Sequence, residues 1–561
     1  MATLAEKETA PSEMGTCTLP DNADTERGVI PSTGSSEEPK DESSSPAPSP
    51  PPRTAHGFVW LLIVASVLMA NFLFATDNTI AANIQPAVIR QFDSLDKLAW
   101  LGVAFLAACW GTNFFWGDMY ARFSAKWTFC VSFVVFSVGC AVAGAAPTMD
   151  ALIVGRAICG MGGAGMYFGS MAILTKMTTE RERPLYLNLV GITFGAGTVL
   201  GPIIGGAFAE SSATWRWAFY FNLVVGGVCA PVYIFLLPAL NPNPGQSIKE
   251  RTSGLDVLGN LFVAGLIVSI VMAISFGGVE YAWNSGQVIA LFAVAFVLLC
   301  VFLLQQQFAL LTTVQTRIFP MHFLRSATMV VLFLEVACCA TCVFVPVYFL
   351  PLYFQFVKAD SPILAGVRIL PYVVFQSVIA IVAGWAVGKT GYYVPWFIFA
   401  GVLCIPGAAL LYTANQYTPL ANIYGYQVLL GLGSGAATQL TFAVASIKVN
   451  TPLDIGRSTG WQAFAQLGGP TISLGIANAV FLNRAHAALG ALLPDFSLDE
   501  INTIISEPNS RLLRDMPADM QERVVDTVVA SMSNAYILCL VAGCFVLLLI
   551  FRFKVNDKLW G

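Results

Sequence analysis

Apolar runs long enough to cross a bilayer recur along nearly the whole chain from Phe58 onward, and nothing else restricts the fold so severely. A helical span needs about 20 predominantly apolar residues to cross a hydrocarbon layer ~30 Å thick. Fourteen runs meet that length, near 58–80, 97–119, 127–146, 150–175, 186–209, 215–238, 256–278, 286–307, 326–355, 361–388, 393–414, 421–446, 458–483 and 531–552. Within lipid the backbone must satisfy its own hydrogen bonds, so each run is predicted to be a helix. Only 11% of the 561 residues are charged and 56% are hydrophobic, whereas soluble domains carry about 25% charged residues. The chain is therefore predicted to be an all-α polytopic membrane protein. Its formal charge of −4 gives no reason to expect nucleic acid as a partner. Twelve of the thirteen cysteines, all but Cys17, fall in apolar segments, which argues against a disulfide framework.

The polar segments organise the runs. Residues 1–56 hold Pro, Ser, Glu and Asp with almost no aromatics, the composition of a disordered tail. They lack the apolar centre of a signal peptide. An even number of spans puts both ends on one side. With those ends cytoplasmic, the short inner loops and C-terminal tail carry fifteen Lys and Arg against four in the short outer loops. That asymmetry is the one the positive-inside rule requires. The only long outer loop, 484–530, has eight acids and four arginines, with amphipathic stretches that suggest one or two surface helices. A repeat at an offset near 270 residues relates Arg156, Gly160 and Gly162 to Gln427, Gly431 and Gly433, and Gly201-Pro202 to Gly469-Pro470. Two six-helix halves, 57–240 and 326–553, then flank two extra spans in 241–325, and 554–561 form a cytoplasmic tail. Repeats of this kind place a substrate site between the halves near the midplane.

Four ionisable residues lie well inside spans: Asp77, Arg156, Glu335 and Arg368. Charge is costly there and by default marks function. Asp77, about 19 residues into a rising helix, and Arg156, about six into a descending one, both belong to the outer half and are placed to meet. Such a pair is either a proton-binding acid governed by a nearby cation or a static pair that fixes helix register. Glu335 has no obvious partner in the sequence, which makes it the better free proton carrier or substrate counter-charge; Arg368, the fourth candidate for proton coupling, suits a packing or gating contact better. Polar and aromatic residues on centre-facing spans, expected to line a cavity or to pack between helices, are Asn71, Phe74, Asn113, Phe114, Tyr167, Gln355, Gln439, Gln462 and Gln466. Such a cavity suits bulky, mostly neutral amphipathic molecules. Gly191, Gly195, Gly197, Gly201, Pro202, Gly205 and Gly206 crowd one span, where small residues let two helix backbones approach closely. Neither a phosphate-cradling GxxxxGK[ST] loop nor a metal or nucleophile motif occurs, so no enzyme, ATP-driven step, cofactor or metal is expected.

These residues also carry a resemblance. Asp77-Asn78-Thr79-Ile80 with Pro86 resembles the first-helix motif of the fourteen-span drug:proton antiporters of the major facilitator superfamily. Arg156, Gly160 and Gly162 are similar to the fourth-helix motif, with Cys159 where Gln is usual, and Gly191–Gly206 resembles the antiporter motif of the fifth helix. Trp215-Arg216-Trp217, Phe219 and Asn222 look like the signature opening the sixth, and Asp256 with Gly259 like that of the seventh. Tyr281 to Ser285, Leu350 to Gln355 and Gly366 to Pro371 resemble the fungal pumps that export toxins and other secondary metabolites. The loop between the second and third spans departs from the family. Gly117, Met119, Arg122 and Lys126 fit, but Ala121 and Ser124 replace its Asp and Gly; Asp118 stands one turn away. The resemblance implies a monomeric plasma-membrane pump that exchanges protons for small lipophilic compounds, with a vacuolar or vesicular site as the alternative. Other readings are an importer or iron-chelate carrier on the same scaffold and a non-transporting membrane sensor.

Overall fold

The computed structural model describes residues 57–92, 100–242, 245, 247–278, 281–314, 316–449, 451–506, 510–553 and 557–559. The tail predicted over 1–56 lies outside them. The N-terminal helices are α1 (Gly57–Phe92), α2 (Trp100–Gly111), α3 (Asn113–Arg122), α4 (Ala125–Ala145), α5 (Met149–Met177), α6 (Arg183–Glu210) and α7 (Trp217–Pro231), the last continued by a π-helical turn. Next come α8 (Ile248–Ser253), α9 (Val257–Phe276), α10 (Gly286–Phe308) and α11 (Met321–Arg325). The C-terminal helices are α12 (Ala327–Lys358), α13 (Pro362–Val367), α14 (Leu370–Thr390), α15 (Val394–Tyr412), α16 (Leu420–Ala437), α17 (Leu440–Ile447) and α18 (Pro452–Leu492). After them follow α19 (Leu498–Ser506), α20 (Arg511–Arg514), α21 (Ala518–Ser533) and α22 (Tyr536–Ile550). Among the described residues, pairing outside helices is limited to two isolated β-bridges.

Twelve helical segments of the described residues are long and apolar enough to cross a membrane. The predicted spans at 97–119 and 458–483 are not among the twelve. The first is divided into α2 and α3 at Thr112, whose hydroxyl donates to Ala108 O at 2.6 Å. The second lies within α18, 41 residues long, which also carries Asp454, Arg457, Gln462, Gln466 and Arg484. Several helices start where a hydroxyl accepts an otherwise unbonded first-turn amide: Thr148 for Ala151, Ser285 for Val288, Ser361 for Leu364 and Thr451 for Asp454. On α10 only Val288, Ala295, Phe302, Gln305 and Gln306 are buried, and Phe292, Phe296 and Val297 point outward. That apolar exterior suits lipid and not water.

Glycine sets the closeness of the main seams. Gly162 of α5 lies against the Phe136 backbone of α4, and Gly433 of α16 against Cys404 N of α15, so the two halves repeat one contact about 270 residues apart. On α6, a Cβ at Gly197 would lie 2.6 Å from Phe72 O, at Gly201 2.7 Å from Thr76 O and at Gly205 2.8 Å from Ile80 O, all on α1. At one end of the C-terminal helices, α19 and α21 insert Ile501, Ile504, Ile505, Val524 and Val528 into the cluster that holds Phe349 and Phe481.

Helices α9 and α10 are joined by Asp256. Its carboxylate caps Gly259 N at 2.8 Å and accepts from Gln305 Nε2 at 3.0 Å and Gln306 Nε2 at 2.6 Å. Gln306 Oε1 in turn accepts from Phe319 N at 2.9 Å. Asp256→Ala strands buried donors on two helices, at a cost on the order of 3 kcal/mol. A lowered thermal midpoint of the detergent-solubilised protein is expected, with Asp256→Asn intermediate; equal midpoints for all three would remove Asp256 as the joint.

Candidate functional site

Two opposite charges 79 positions apart meet in the interior of the N-terminal half. Arg156 Nη1 donates to Asp77 Oδ2 at 2.6 Å and to Asp77 O at 3.1 Å, and Nε donates to Leu101 O at 3.1 Å. Asn222 Nδ2 donates to Asp77 Oδ1 at 3.0 Å. Both charged side chains are fully buried. Gly155 and Gly160 beside Arg156 admit the backbones of α4 and α2 at Ala143 and Phe105. The guanidinium is thereby placed 4.3 Å from the Phe105 ring centre, with Phe219 at 5.9 Å on another side. Its Nη2 has no hydrogen-bond partner among the described residues. The repeat partner of Arg156, Gln427, is buried with neither amide atom bonded, so among the described residues it forms no equivalent pair in the C-terminal half. Cys140 and Cys159 bring their sulfurs within 4.8 Å of the Asp77 carboxylate, a ligand set for a thiophilic metal in kind. Arg156 already neutralises that carboxylate and opposes a second cation there.

The other two intramembrane charges go elsewhere. Glu335 is 1% exposed, and neither carboxylate oxygen has a partner among the described residues. Its neighbours one turn either way, Leu332 and Cys339, belong to the C-terminal core. Arg368 forms a two-pronged ion pair with Asp360, Nη2 reaching Oδ1 at 3.1 Å and Nε reaching Oδ2, and Nη1 donates to Tyr424 OH at 3.2 Å. It ties the turn after α12 to α16. Asp360 escaped the sequence reading because it falls in the loop Asp360-Ser361-Pro362, outside any apolar run.

A cavity with about 40 Å³ of room for water, within about 640 Å³ of empty space that counts the part open to solvent, lies where α6 faces α12, α14, α16 and α18. Among the described residues, no charged side chain lines it. Its polar lining is Thr198, Gln376, Ser377, Thr438, Gln439 and Gln466, and Phe194 and Phe344 supply aromatic wall from opposite halves. Of the nine residues expected to line a cavity, Gln439 and Gln466 do so. Asn71 joins α1 to α6 through Val190 O (2.7 Å) and Thr193 Oγ1 (2.8 Å), and Asn113 joins α3 to α18 through Gly460 O at 3.1 Å. Phe114 stacks on Phe464 with centres 4.5 Å apart. Tyr167 donates its hydroxyl to Gln466 Oε1, and Phe74 packs on Tyr167 in the layer behind the cavity wall. Gln462 is buried with neither amide atom bonded, and Gln355 is half-buried away from the cavity. Gln376 and Ser377 were missed, although two adjacent polar residues midway along an apolar run are a visible signal. Of the α6 motif, Gly191 lines the cavity and approaches Gln439, Gly197, Gly201 and Gly205 form the α1 seam, and Pro202 and Gly206 are half-buried.

The pattern described as Major Facilitator Superfamily matches residues 67–474. The chain belongs to that superfamily. The MFS-type transporter pgmG of Aspergillus terreus is 47% identical over 486 residues, covering 87% of each chain. The efflux pump alnA of Emericella nidulans is 43% identical over 500 residues, covering 89% of this chain and 90% of its own. In solved structures, the proton:xylose symporter XylE superposes with a TM-score of 0.55 over 88% of this chain and 96% of its own, at 13% identity, a likeness of fold alone. This superfamily member is thus a multi-pass membrane transporter of small molecules and not an enzyme. At the end of α3, Asp118 accepts from Arg122 Nε one turn on at 2.6 Å, and Arg122 Nη2 reaches Thr316 O at 3.2 Å. Gly117, Asp118 and Ala121 also share a small pocket with Arg317, Arg457 and Gly460, so the departing loop faces α18 of the transporter's other half.

Proposed function

We propose that the protein exports small, lipophilic, mostly neutral compounds in exchange for protons by alternating access. The observation that carries this reading is an uncharged, partly aromatic cavity between the halves, with the Asp77–Arg156 pair buried outside it. A guest there meets amide and hydroxyl groups but no fixed charge, which favours neutral amphipathic molecules over sugar phosphates or amino acids. Asp77 is proposed as the proton carrier, its charge governed by Arg156, with Glu335 as a second protonatable group. Arg368 is assigned to holding the outer turn. The efflux direction is supported by relatives named as efflux pumps, and the secondary-metabolite class by the resemblance at Tyr281 to Ser285, Leu350 to Gln355 and Gly366 to Pro371.

Fourteen spans are proposed, adding the divided helix α2–α3 and the polar-faced α18 to the twelve. Twelve and fourteen are both even, so the termini share a side in either count, and the basic inner loops make that side cytoplasmic. A monomer in the plasma membrane is the arrangement proposed.

The test is accumulation of neutral toxins and lipophilic dyes in pump-deficient cells, with and without a protonophore. Lower accumulation only with the protein present and a live gradient is expected. Accumulation raised by the protein under an inward proton gradient would overturn export. Equal accumulation throughout, with the protein verified at the surface, would point to a non-transporting role or a guest outside the panel.

A further inference from the structure

The Asp77–Arg156 pair and the cavity are separated by an unbroken series of aromatic rings. Arg156 sits 4.3 Å from the centre of the Phe105 ring. Phe105 stacks on Phe74 at 5.9 Å and 25°. Phe74 meets Tyr167 at 5.5 Å and Phe194 at 5.9 Å, and these two meet each other at 5.6 Å. Phe194 lines the cavity and packs edge-on against Phe344 of the other half at 5.8 Å. Phe74 and Phe105 are each 1% exposed. A Cβ at Gly163 would lie 2.5 Å from Phe74 Cδ2, so Gly163 is what admits that ring beside α5.

We propose that Phe105, Phe74 and Phe194 are positioning residues that transmit the packing state of the cavity to the grip of Arg156 on Asp77. This rests on Asp77 being the proton carrier. Rings in a close-packed interior have no void into which to relax, so a bulky guest that turns Phe194 must move Phe74 and, through it, Phe105. A desolvated guanidinium on a ring face is held by the ring's quadrupole, so displacing Phe105 frees Arg156 to swing from the carboxylate. Phe219 is farther from the guanidinium, at 5.9 Å, and Nη2 has no hydrogen-bond partner among the described residues, so Phe105 is the nearer of the two rings that hold it. Among the described residues, Cys159 from α5 and Cys140 from α4 bring their sulfurs within 4.8 Å of the Asp77 carboxylate, and Asn222 from α7 donates to it. The α2 helix carries no charged residue, and the charged residues of α6, Arg183 and Glu210, stand at its two ends. Arg156 is therefore the group through which the rings act.

The test needs no known substrate. Infrared titration of the purified full-length protein in lipid nanodiscs follows the carboxyl band of Asp77, identified by its loss in Asp77→Asn or, should that variant not fold, by its displacement in Asp77→Glu. Phe105→Leu is expected to raise the Asp77 midpoint by about 0.5 to 1.5 pH units, and Phe105→Tyr, which keeps the ring, to leave it unchanged. Phe194→Leu at the cavity wall is expected to raise it by about 0.5 unit or more. In the double variant the Phe194 increment should vanish, because the ring that conveys it is gone. Increments that add, or a Phe194→Leu midpoint within about 0.1 unit of wild type, would overturn the relay while leaving Asp77 as a proton site. If no Asp77 band titrates at all, the proton reading falls and takes the relay with it.

Discussion

Asp77→Asn is expected to reduce pH-driven flux at least about 100-fold and to lower the unfolding temperature as well. Both effects have one origin. The substitution removes the anion but leaves the Arg156 guanidinium fully buried, with only neutral partners around it: backbone carbonyls, the new amide and the Phe105 and Phe219 rings. Breaking one member of a buried ion pair costs about 3–5 kcal/mol, because the surviving charge stays desolvated. Stability alone would therefore mislead. The informative variant is Asp77→Asn combined with Arg156→Met, which removes both charges, and such replacements are often neutral or stabilising. Recovery of the thermal midpoint without recovery of flux would separate proton carriage from structural support. Recovery of both would mean that the pair only sets helix register.

Gly201→Val is expected to disrupt the protein where Gly195→Ala, about one and two-thirds turns away on the same helix, is tolerated. A Cβ at Gly201 would press on the Thr79 hydroxyl and lie 2.7 Å from Thr76 O, whereas one at Gly195 meets only Val373 Cγ1 at 3.8 Å. Backbone cannot rotate aside as a flexible side chain can, so α1 and α6 must separate. Overpacking of this kind costs about 1–3 kcal/mol per site, and Val adds methyl groups beyond the Cβ. Because Asp77 stands on α1 next to Thr76, a displaced α1 also moves the carboxylate away from Arg156. Folded yield by detergent size-exclusion chromatography and dye efflux from cells should both fall several-fold for Gly201→Val. Normal behaviour of Gly201→Val together with failure of Gly195→Ala would show that the motif serves the cavity and not the α1 seam.

The contrast between those two glycines shows how far the sequence could be read. All seven motif residues look alike as a string of small residues in an apolar run. Their duties differ because α6 turns about 100° per residue and so presents Gly201 to α1 and Gly191 and Gly195 to the cavity. The same holds for the cavity list. Polar residues on the expected spans were identifiable, but the face each one shows was not. Asn71 and Asn113 spend their amides on neighbouring helices, while Gln376 and Ser377 line the cavity unheralded.

Sequence alone determined the class of protein and its family, since apolar runs of bilayer length leave helices as the economical backbone solution and the family motifs are local strings. It also singled out Asp77 and Arg156, because charge within an apolar run is conspicuous wherever the helices end up. Only the tertiary structure decided that Arg156 reaches Asp77 while Arg368 turns to Asp360. Only it decided that Glu335 is buried with neither oxygen bonded among the described residues and that Phe105 stands between the ion pair and the cavity wall. The physical reason is that helix periodicity leaves the rotation of each helix undetermined. Packing against neighbours far away in sequence sets that rotation, and with it the side chains that meet.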